Sequence, residues 1–164
     1  MSPPVSAASW SFTEDDFGAI TKALERFLAD CNARCALIVD RTGQLVATVG
    51  QRPDFDPTAF ATLTAADFSA NDQLAKLIGE NDFSSLFHQG EKESMYLADI
   101  ARRVILVVLF DNRTTLGLVR LKMRPTVLQL TELFEQVFTR AARDAGSTPN
   151  VLAGADDEID KLFQ

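Results

Sequence analysis

The chain has 164 residues, of which 46% are hydrophobic and 24% are charged, and its formal net charge is −7 at pH 7. A chain of this length can form one hydrophobic core, and its longest apolar run is too short to cross a bilayer. The acidic balance argues against nucleic acid as a partner, because phosphate binding needs a basic surface. The first ten residues lack the basic start and apolar stretch of a secretory signal, so we expect a cytoplasmic protein that does not bind membranes.

Few residues are suited to metal binding or catalysis. Cys31 and Cys35 are the only cysteines, and the single histidine, His88, lies far from both in the sequence. Two such cysteines are more often packing residues than metal ligands. No Gly-rich phosphate loop and no nucleophile with a neighbouring base is present, so we expect no metal, no cofactor and no catalytic residue. An enzyme or a small-molecule sensor is therefore the weakest of the functional hypotheses.

The first predicted element is a helix that runs to about Asn32. Thr13 as N-cap and Asp16 three residues later form a capping-box pattern, and Phe12 and Phe17 have the spacing of a hydrophobic staple. Its apolar stripe has helical spacing and is expected to face a sheet. The stripe consists of Phe17, Ile20, Leu24, Phe27, Leu28 and Cys31.

Two strands, CALIV and QLVATV, then flank a turn at residues 40–43, which is the pattern of a short hairpin. A second helix is predicted from its cap Asp56 and the following Pro57 to about Gly79. The larger apolar residues of this helix fall on one side of a helical wheel, interrupted by Asp67, and are predicted to form its core stripe. They are Phe60, Leu63, Ala70, Leu74, Leu77 and Ile78.

One flank of the second helix carries a ridge of mostly small side chains. The ridge consists of Thr62, Ala66, Ser69 and Gln73. Small side chains let another backbone approach closely, so the ridge is a candidate partner surface. A solvated helix flank is the alternative interpretation.

The stretch from Ser94 to Met123 predicts three consecutive antiparallel strands with short turns near 101–102 and 111–114. Val104 to Phe110 is apolar at every position, which indicates a strand covered on both faces. Pro125 is predicted to open a third helix that ends before Gly146. The predicted fold is α/β (α+β), with helices on both faces of a five-stranded antiparallel sheet and the order α-β-β-α-β-β-β-α.

At this point the residues support a family resemblance. The element order, together with LAKLIGEN at 74–81, FHQGEKESMY at 87–96 and VILVVLFDNRTTLGLVRL at 104–121, resembles the bacterial members of the Roadblock family. The resemblance covers roughly Phe12 to Phe163. It implies a Roadblock domain over residues 12–145, preceded by a disordered segment, 1–11. It further implies a homodimer in which the second helices lie side by side on one surface.

The same resemblance implies a function. Roadblock proteins of this kind resemble activators of a Ras-like small GTPase of the MglA type, in control of cell polarity and motility at a cell pole. They are thought to remodel the GTPase active site without an arginine finger. The residues implied in GTPase binding are Thr62, Ala65, Ala66, Ser69, Ala70 and Gln73. This sequence departs from the family pattern at Asn71, Asp72 and Gln73. At the last of these positions a glycine or another small residue is expected, and Gln73 adds bulk and polarity.

Phe68 and Arg113 are candidates for two further roles. Phe68 falls off the predicted core stripe, and we expect it at the dimer interface because its exposure in a monomer would be unfavourable. Arg113 is the competing candidate for an arginine finger, although a turn arginine is far more often a solvated or capping residue. The alternative function is a Roadblock scaffold that binds a GTPase or polarity partner without stimulating hydrolysis, which the bulk of Gln73 suggests.

The C-terminal segment predicts a second partner contact, separate from the Roadblock domain. Residues 146–155 have the composition of a flexible linker, and residues 156–164 are predicted to form a short amphipathic helix. So short a helix is not stable alone in water and should fold on docking. The family resemblance implies that the tail contacts the GTPase and aids nucleotide exchange, and a solvated acidic tail is the alternative. The tail residues predicted to make contact are Asp157, Ile159, Asp160, Leu162 and Phe163.

Overall fold

The computed structural model describes the backbone of residues 12–147 and the side chains of residues 12–143. The elements follow the predicted order, helix, two strands, helix, three strands and helix. They are α1 (Glu14–Cys31), β1 (Cys35–Asp40), β2 (Leu45–Gly50), α2 (Pro57–Leu77), β3 (Ser85–Gln89), β4 (Ser94–Ile100), β5 (Val104–Phe110) and α3 (Leu116–Ser147). None of the helices within residues 12–147 combines the length and the apolarity needed to cross a membrane.

The five strands form one antiparallel sheet in the order β2-β1-β5-β4-β3. The central strands β1 and β5 are buried nearly throughout, because α1 and α3 cover one face of the sheet and α2 covers the other. Successive residues of a strand point to opposite faces, so Ile38 and Leu106 join the core under α1 and α3. Leu37 and Val107 join the smaller core under α2. The predicted fold is confirmed.

The predicted start of α1 is confirmed in atomic detail. The Thr13 hydroxyl accepts a hydrogen bond from the Asp16 amide at 3.1 Å, and the Asp16 carboxylate accepts one from the Thr13 amide at 2.9 Å. The two bonds satisfy amides that have no partner within the helix. The aromatic pair behaves differently from the prediction. Phe12 packs edge-on against Phe134 of α3, and Phe17 remains half exposed.

The prediction of a strand after residue 114 is wrong. Residues 116–123 form the first two turns of α3, where the Thr115 hydroxyl accepts a hydrogen bond from the Leu118 amide at 3.2 Å. Val119 and Met123 lie one helical turn apart and are both buried. Pro125 therefore lies inside α3 and not at its start, and the helix continues past Gly146 to Ser147.

The third strand of the meander is β3, which precedes the segment that was predicted to contain all three strands. Its residues SLFHQ are half-buried or exposed, as suits a strand at the edge of a sheet. Such a strand has neither an apolar run nor a clear alternation, so its sequence pattern is weak.

The predicted core stripe of α2 is also wrong. Leu63, Leu74, Leu77 and Ile78 are 58–82% exposed. The residues that face the sheet are Ala61, Thr64, Ala65, Phe68, Asn71 and Ala75. Small side chains let α2 lie close to the sheet, and Phe68 fills most of the remaining space. The larger aliphatic side chains consequently point outward, although hydrophobicity alone favours them as core residues.

Phe68 is completely buried within a single chain. It packs in the core under α2, and the Arg41 guanidinium lies 4.9 Å from the centre of its ring. Because the side chain needs no second chain to bury it, the assignment of Phe68 to a dimer interface is wrong.

Candidate functional site

The outward face of α2 gathers most of the predicted partner-binding residues. Thr62, Ala66, Ser69, Ala70 and Gln73 are all exposed. Ala65 is not, because it faces the sheet and is only 8% exposed. The structure thus brings five of the six predicted residues to one surface and removes Ala65 from it.

Large aliphatic side chains continue this surface along the helix. Leu63, Leu74, Leu77 and Ile78 are unpartnered within the described chain and expose most of their area. Contiguous exposed apolar residues on a helix indicate an interaction surface. Sequence reasoning found these residues but assigned them to the core. Their outward position could have been suspected from the alternative stripe that contains Ala61, Ala65 and Phe68, which has the same helical spacing.

Contacts on either side of α2 show how its outward face is oriented on the sheet. A Cβ placed on Gly43, in the β1–β2 turn, would lie 3.2 Å from the Cα of Thr62. On the opposite side of the helix, Asp67 Oδ2 lies 2.6 Å from Nε2 of His88 in β3. The ridge of small side chains therefore lies toward the β1–β2 hairpin. Leu63, Leu74 and Ile78 share the Asp67 side and lie toward the free edge of β3.

The contact of His88 with Asp67 changes the interpretation of both residues. His88 carries no catalytic partner in the sequence, and Asp67 interrupts the apolar pattern of α2. In the fold the two side chains, each partly exposed, join the edge strand β3 to the middle of α2. Their proximity explains why a carboxylate occurs there.

Asp72 has a similar structural explanation. Its Oδ2 accepts a hydrogen bond at 2.7 Å from Nη1 of Arg41, whose Nη2 donates to Asp99. Partial burial has the largest single effect on the pKa of Arg41 and lowers it, because burial disfavours the charged guanidinium. The hydrogen bonds to Asp99 and Asp72 outweigh it, and the pKa of Arg41 lies above its usual value. Arg41 also covers the ring of Phe68, so the network fixes the hairpin against α2.

The three departures from the family pattern consequently differ in their position. Asn71 is buried against the sheet, and its Nδ2 has no hydrogen-bond partner among the described residues. Asp72 is turned toward Arg41. Gln73 alone is fully on the outward face, so it is the only one of the three that a docked partner would meet directly.

Arg113 lies at the far end of the sheet from this network. Its side chain donates to both carboxylate oxygens of Asp111 at 3.1 and 3.2 Å, and its carbonyl accepts from the side-chain amide of Asn32. The Arg113 hydrogen bond is the largest influence on Asp111 and lowers the pKa of that carboxyl. These contacts are those of a turn-capping arginine.

The tail residues lie outside the described part of the chain, so the predicted contacts of Asp157, Ile159, Asp160, Leu162 and Phe163 stay predictions. The helix α3 covers the first two residues of the predicted linker. Among the described side chains, residues 12–143, no group of three or more His, Cys, Asp or Glu could hold a metal ion.

Comparisons with known proteins agree with this geometry. Residues 20–110 match the Roadblock/LC7 domain. Among solved structures, the chain is similar to MglB of Myxococcus xanthus, with 46% sequence identity and a TM-score of 0.70 over 73% of this chain and 98% of that chain. No curated protein sequence was found to match.

Two further structures support the same relationship. The gliding protein MglB of Thermus thermophilus is 30% identical, with a TM-score of 0.72 over 78% of this chain and 97% of that one. A structure described as MglB with tetrameric arrangement is also 30% identical, with a TM-score of 0.73 over 79% of this chain and 97% of that one.

Proposed function

Because the chain belongs to the Roadblock/LC7 family, we propose that it is a homodimeric activator of a bacterial Ras-like small GTPase of the MglA type. The observation that carries the proposal is the outward face of α2, where large aliphatic side chains and a ridge of small ones lie exposed beside each other. A surface of this kind is unfavourable in water unless it is covered.

The two parts of the face suit two different partners. Leu63, Leu74 and Ile78 lie toward the unpaired edge of β3, so helix side chains and a free strand edge form one continuous surface. A second copy can cover both at once, by pairing edge to edge and placing its own α2 alongside. The tetrameric arrangement described for an MglB relative supports self-association. The ridge of small side chains remains open beside the hairpin and is the part offered to the GTPase.

The mechanism we infer uses no residue of this chain in the nucleotide site. Phosphoryl transfer is accelerated mainly by positioning water and by placing positive charge near the γ-phosphate. A flat surface can achieve this indirectly by binding the GTPase conformation in which its own catalytic residues are correctly placed. Arg113 is engaged by Asp111 at the end of the sheet opposite to Arg41 and is not required. The chain is thus a regulator, and the C-terminal tail contributes a second contact that favours nucleotide exchange.

Gln73 motivates a second candidate function. A long polar side chain at the C-terminal end of the small ridge limits how closely another backbone can approach there. The alternative is therefore a scaffold that binds the GTPase without accelerating hydrolysis. An activator must bind the transition state of hydrolysis more tightly than the GTP state, whereas a scaffold need not.

Single-turnover GTP hydrolysis by the MglA-type GTPase of the same organism tests the proposal. The full chain is compared with a chain ending at Ala155, with Ala66→Arg, and with Gln129→Arg as the control. Gln129 is also exposed but lies on α3, across the sheet from α2. We expect stimulation by the full chain, the truncated chain and the control, and its loss in Ala66→Arg. Binding without stimulation by the full chain would make it a scaffold, and equal effects of the two arginines would place docking elsewhere.

A further inference from the structure

A second exposed apolar surface lies on α3, on the opposite face of the sheet from α2. Leu121, Pro125 and Leu128 follow each other at intervals of four and three residues, so they form one ridge along the helix. Leu121 is 63% exposed and Leu128 is 70% exposed. The buried residues of α3, such as Val119 and Leu130, occupy the other side of the helix. This α3 ridge therefore faces solvent directly.

Positive charge surrounds the α3 ridge. Arg120 and Arg124 line one flank and Lys122 lies on the other, while residues 116–131 contain no acidic side chain. Among the described residues, none of these three cations takes part in an ion pair, in contrast to Arg34, Arg41, Arg113 and Arg140. A protein with a net charge of −7 thus carries an unneutralised basic and apolar stripe.

One segment of the chain combines negative charge with apolar side chains and so complements the basic, apolar α3 ridge. Residues 156–164, DDEIDKLFQ, carry four acidic residues and one lysine. The apolar residues Ile159, Leu162 and Phe163 would share one side of a helix. The N-terminal segment 1–11 is the other candidate from this chain, but it contains no acidic residue to meet the three cations.

The length of the chain permits the contact. Leu128 precedes Ser147 by 19 residues of helix, or about 28 Å at 1.5 Å per residue. The 12 residues from Ser147 to Ile159 can span up to about 40 Å when extended. The tail can therefore turn back along α3 and reach the ridge without any change in the fold.

We propose that residues 156–164 dock on the α3 ridge of the same chain, with Ile159, Leu162 and Phe163 against Leu121 and Leu128 and the acidic residues beside Arg120, Lys122 and Arg124. The docking covers the exposed leucines and neutralises the stripe. It does not depend on the GTPase partnership. If the tail also contacts the GTPase, which rests on the proposed function, docking on α3 withholds the tail from that contact.

Disulfide trapping in the full-length protein tests the proposal without any partner. Cysteines are introduced by Glu132→Cys, one turn beyond Leu128, and by Ala155→Cys just before the tail, because a chain that turns back along α3 passes Glu132 before Ile159 reaches Leu128. The native thiols do not interfere, because Cys31 and Cys35 are buried and burial raises the pKa of Cys35 to about 11. The control pair replaces Glu132→Cys with Glu25→Cys. Glu25 is exposed on α1, and the contact of Asp16 with Arg140 places it about level with Glu132.

Docking should make the intrachain disulfide form at least about ten-fold faster in the Glu132 pair than in the Glu25 pair, because it raises the local thiol concentration. Leu121→Asp with Leu128→Asp should reduce the two rates to the same value. Circular dichroism confirms that this variant folds, and Lys122→Glu with Arg124→Glu provides a second disruption of the same contact. Equal rates in the parent protein would overturn the proposal. A main product of twice the chain mass would also overturn it, since the ridge would then hold the tail of a second copy.

Discussion

Arg41 and Asp72 form an ion pair of 2.7 Å that ties the β1–β2 turn to α2. The same guanidinium reaches Asp99 at the end of β4 and covers the ring of Phe68. One side chain thus joins the hairpin, α2 and the meander on the face of the sheet that carries the proposed docking surface. The orientation of α2, and with it the set of residues that a partner meets, depends on this contact.

Removing the carboxylate of Asp72 should therefore destabilise the protein. We expect Asp72→Ala to lower the free energy of unfolding by about 1–2 kcal/mol, because Arg41 loses one of two partly buried charged partners but keeps Asp99. Urea denaturation measures the change. Gln73→Ala, the neighbouring exposed position, should stay within about 0.5 kcal/mol of the parent protein. Equal stability of the two variants would show that the pair contributes nothing.

Phe68 should behave as a core residue and not as an interface residue. Phe68→Ala removes a completely buried ring beneath α2 and should lower the free energy of unfolding by about 3–5 kcal/mol. The loss should be independent of protein concentration, which denaturation at two concentrations far apart can check. A stable variant that only dissociates would restore Phe68 to the dimer interface.

Leu77 is the position from which to test dimerisation. Its side chain is 82% exposed in the single chain and belongs to the aliphatic part of the α2 face. Leu77→Asp would place a charge in the proposed dimer interface and should give monomers in light scattering coupled to size-exclusion chromatography. Leu121→Asp on α3 is the matched control and should leave the dimer intact. Dissociation by the control but not by Leu77→Asp would move the interface to the other face of the sheet.

The capping box of α1 should make stability depend on pH in the acidic range. Burial raises the pKa of Asp16, but the hydrogen bonds from Thr13 and Arg140 outweigh it, and the folded-state pKa lies below the usual value of 3.8. The carboxylate therefore contributes stability that is fully present above about pH 4 and is lost as the pH falls through the folded-state pKa.

The variant Asp16→Asn tests this pH dependence, because it keeps the size of the side chain but cannot ionise. At pH 7 it should be less stable than the parent protein by about 1 kcal/mol. The difference should shrink as denaturation is repeated at successively lower pH, below about pH 4. A difference that is constant down to about pH 2 would mean that the ionised form is not responsible.

Arg113 distinguishes remodelling from an inserted finger. An arginine finger contributes a factor of about 10³–10⁵ to hydrolysis, so its removal would abolish stimulation. Because Arg113 is held by Asp111 at the end of the sheet remote from Arg41, we expect Arg113→Ala to keep stimulation within about two-fold of the parent protein. Loss of turnover with unchanged GTPase binding would refute the remodelling mechanism.

Local sequence signals predicted the parts of the fold that local interactions dictate. The cap residues Thr13 and Asp16 define the start of α1 because their hydrogen bonds lie within one turn. The apolar run from Val104 to Phe110 identified a strand covered on both faces. Successive side chains of a strand point to opposite faces, so a run that is apolar at every position needs cover on each of them. The helices and strands predicted on either side then gave the element order that led to the family.

Tertiary packing decided which side of α2 faces the core and therefore which residues form the candidate site. Two stripes of this helix have apolar residues at helical spacing, and the larger one was predicted to be buried. The smaller stripe faces the sheet. Ala61, Ala65 and Ala75 let the helix lie close to the sheet, and Phe68 fills the remaining space. Hydrophobicity along a sequence reports how much area a residue could bury, whereas the fit against a particular sheet decides which residues are buried.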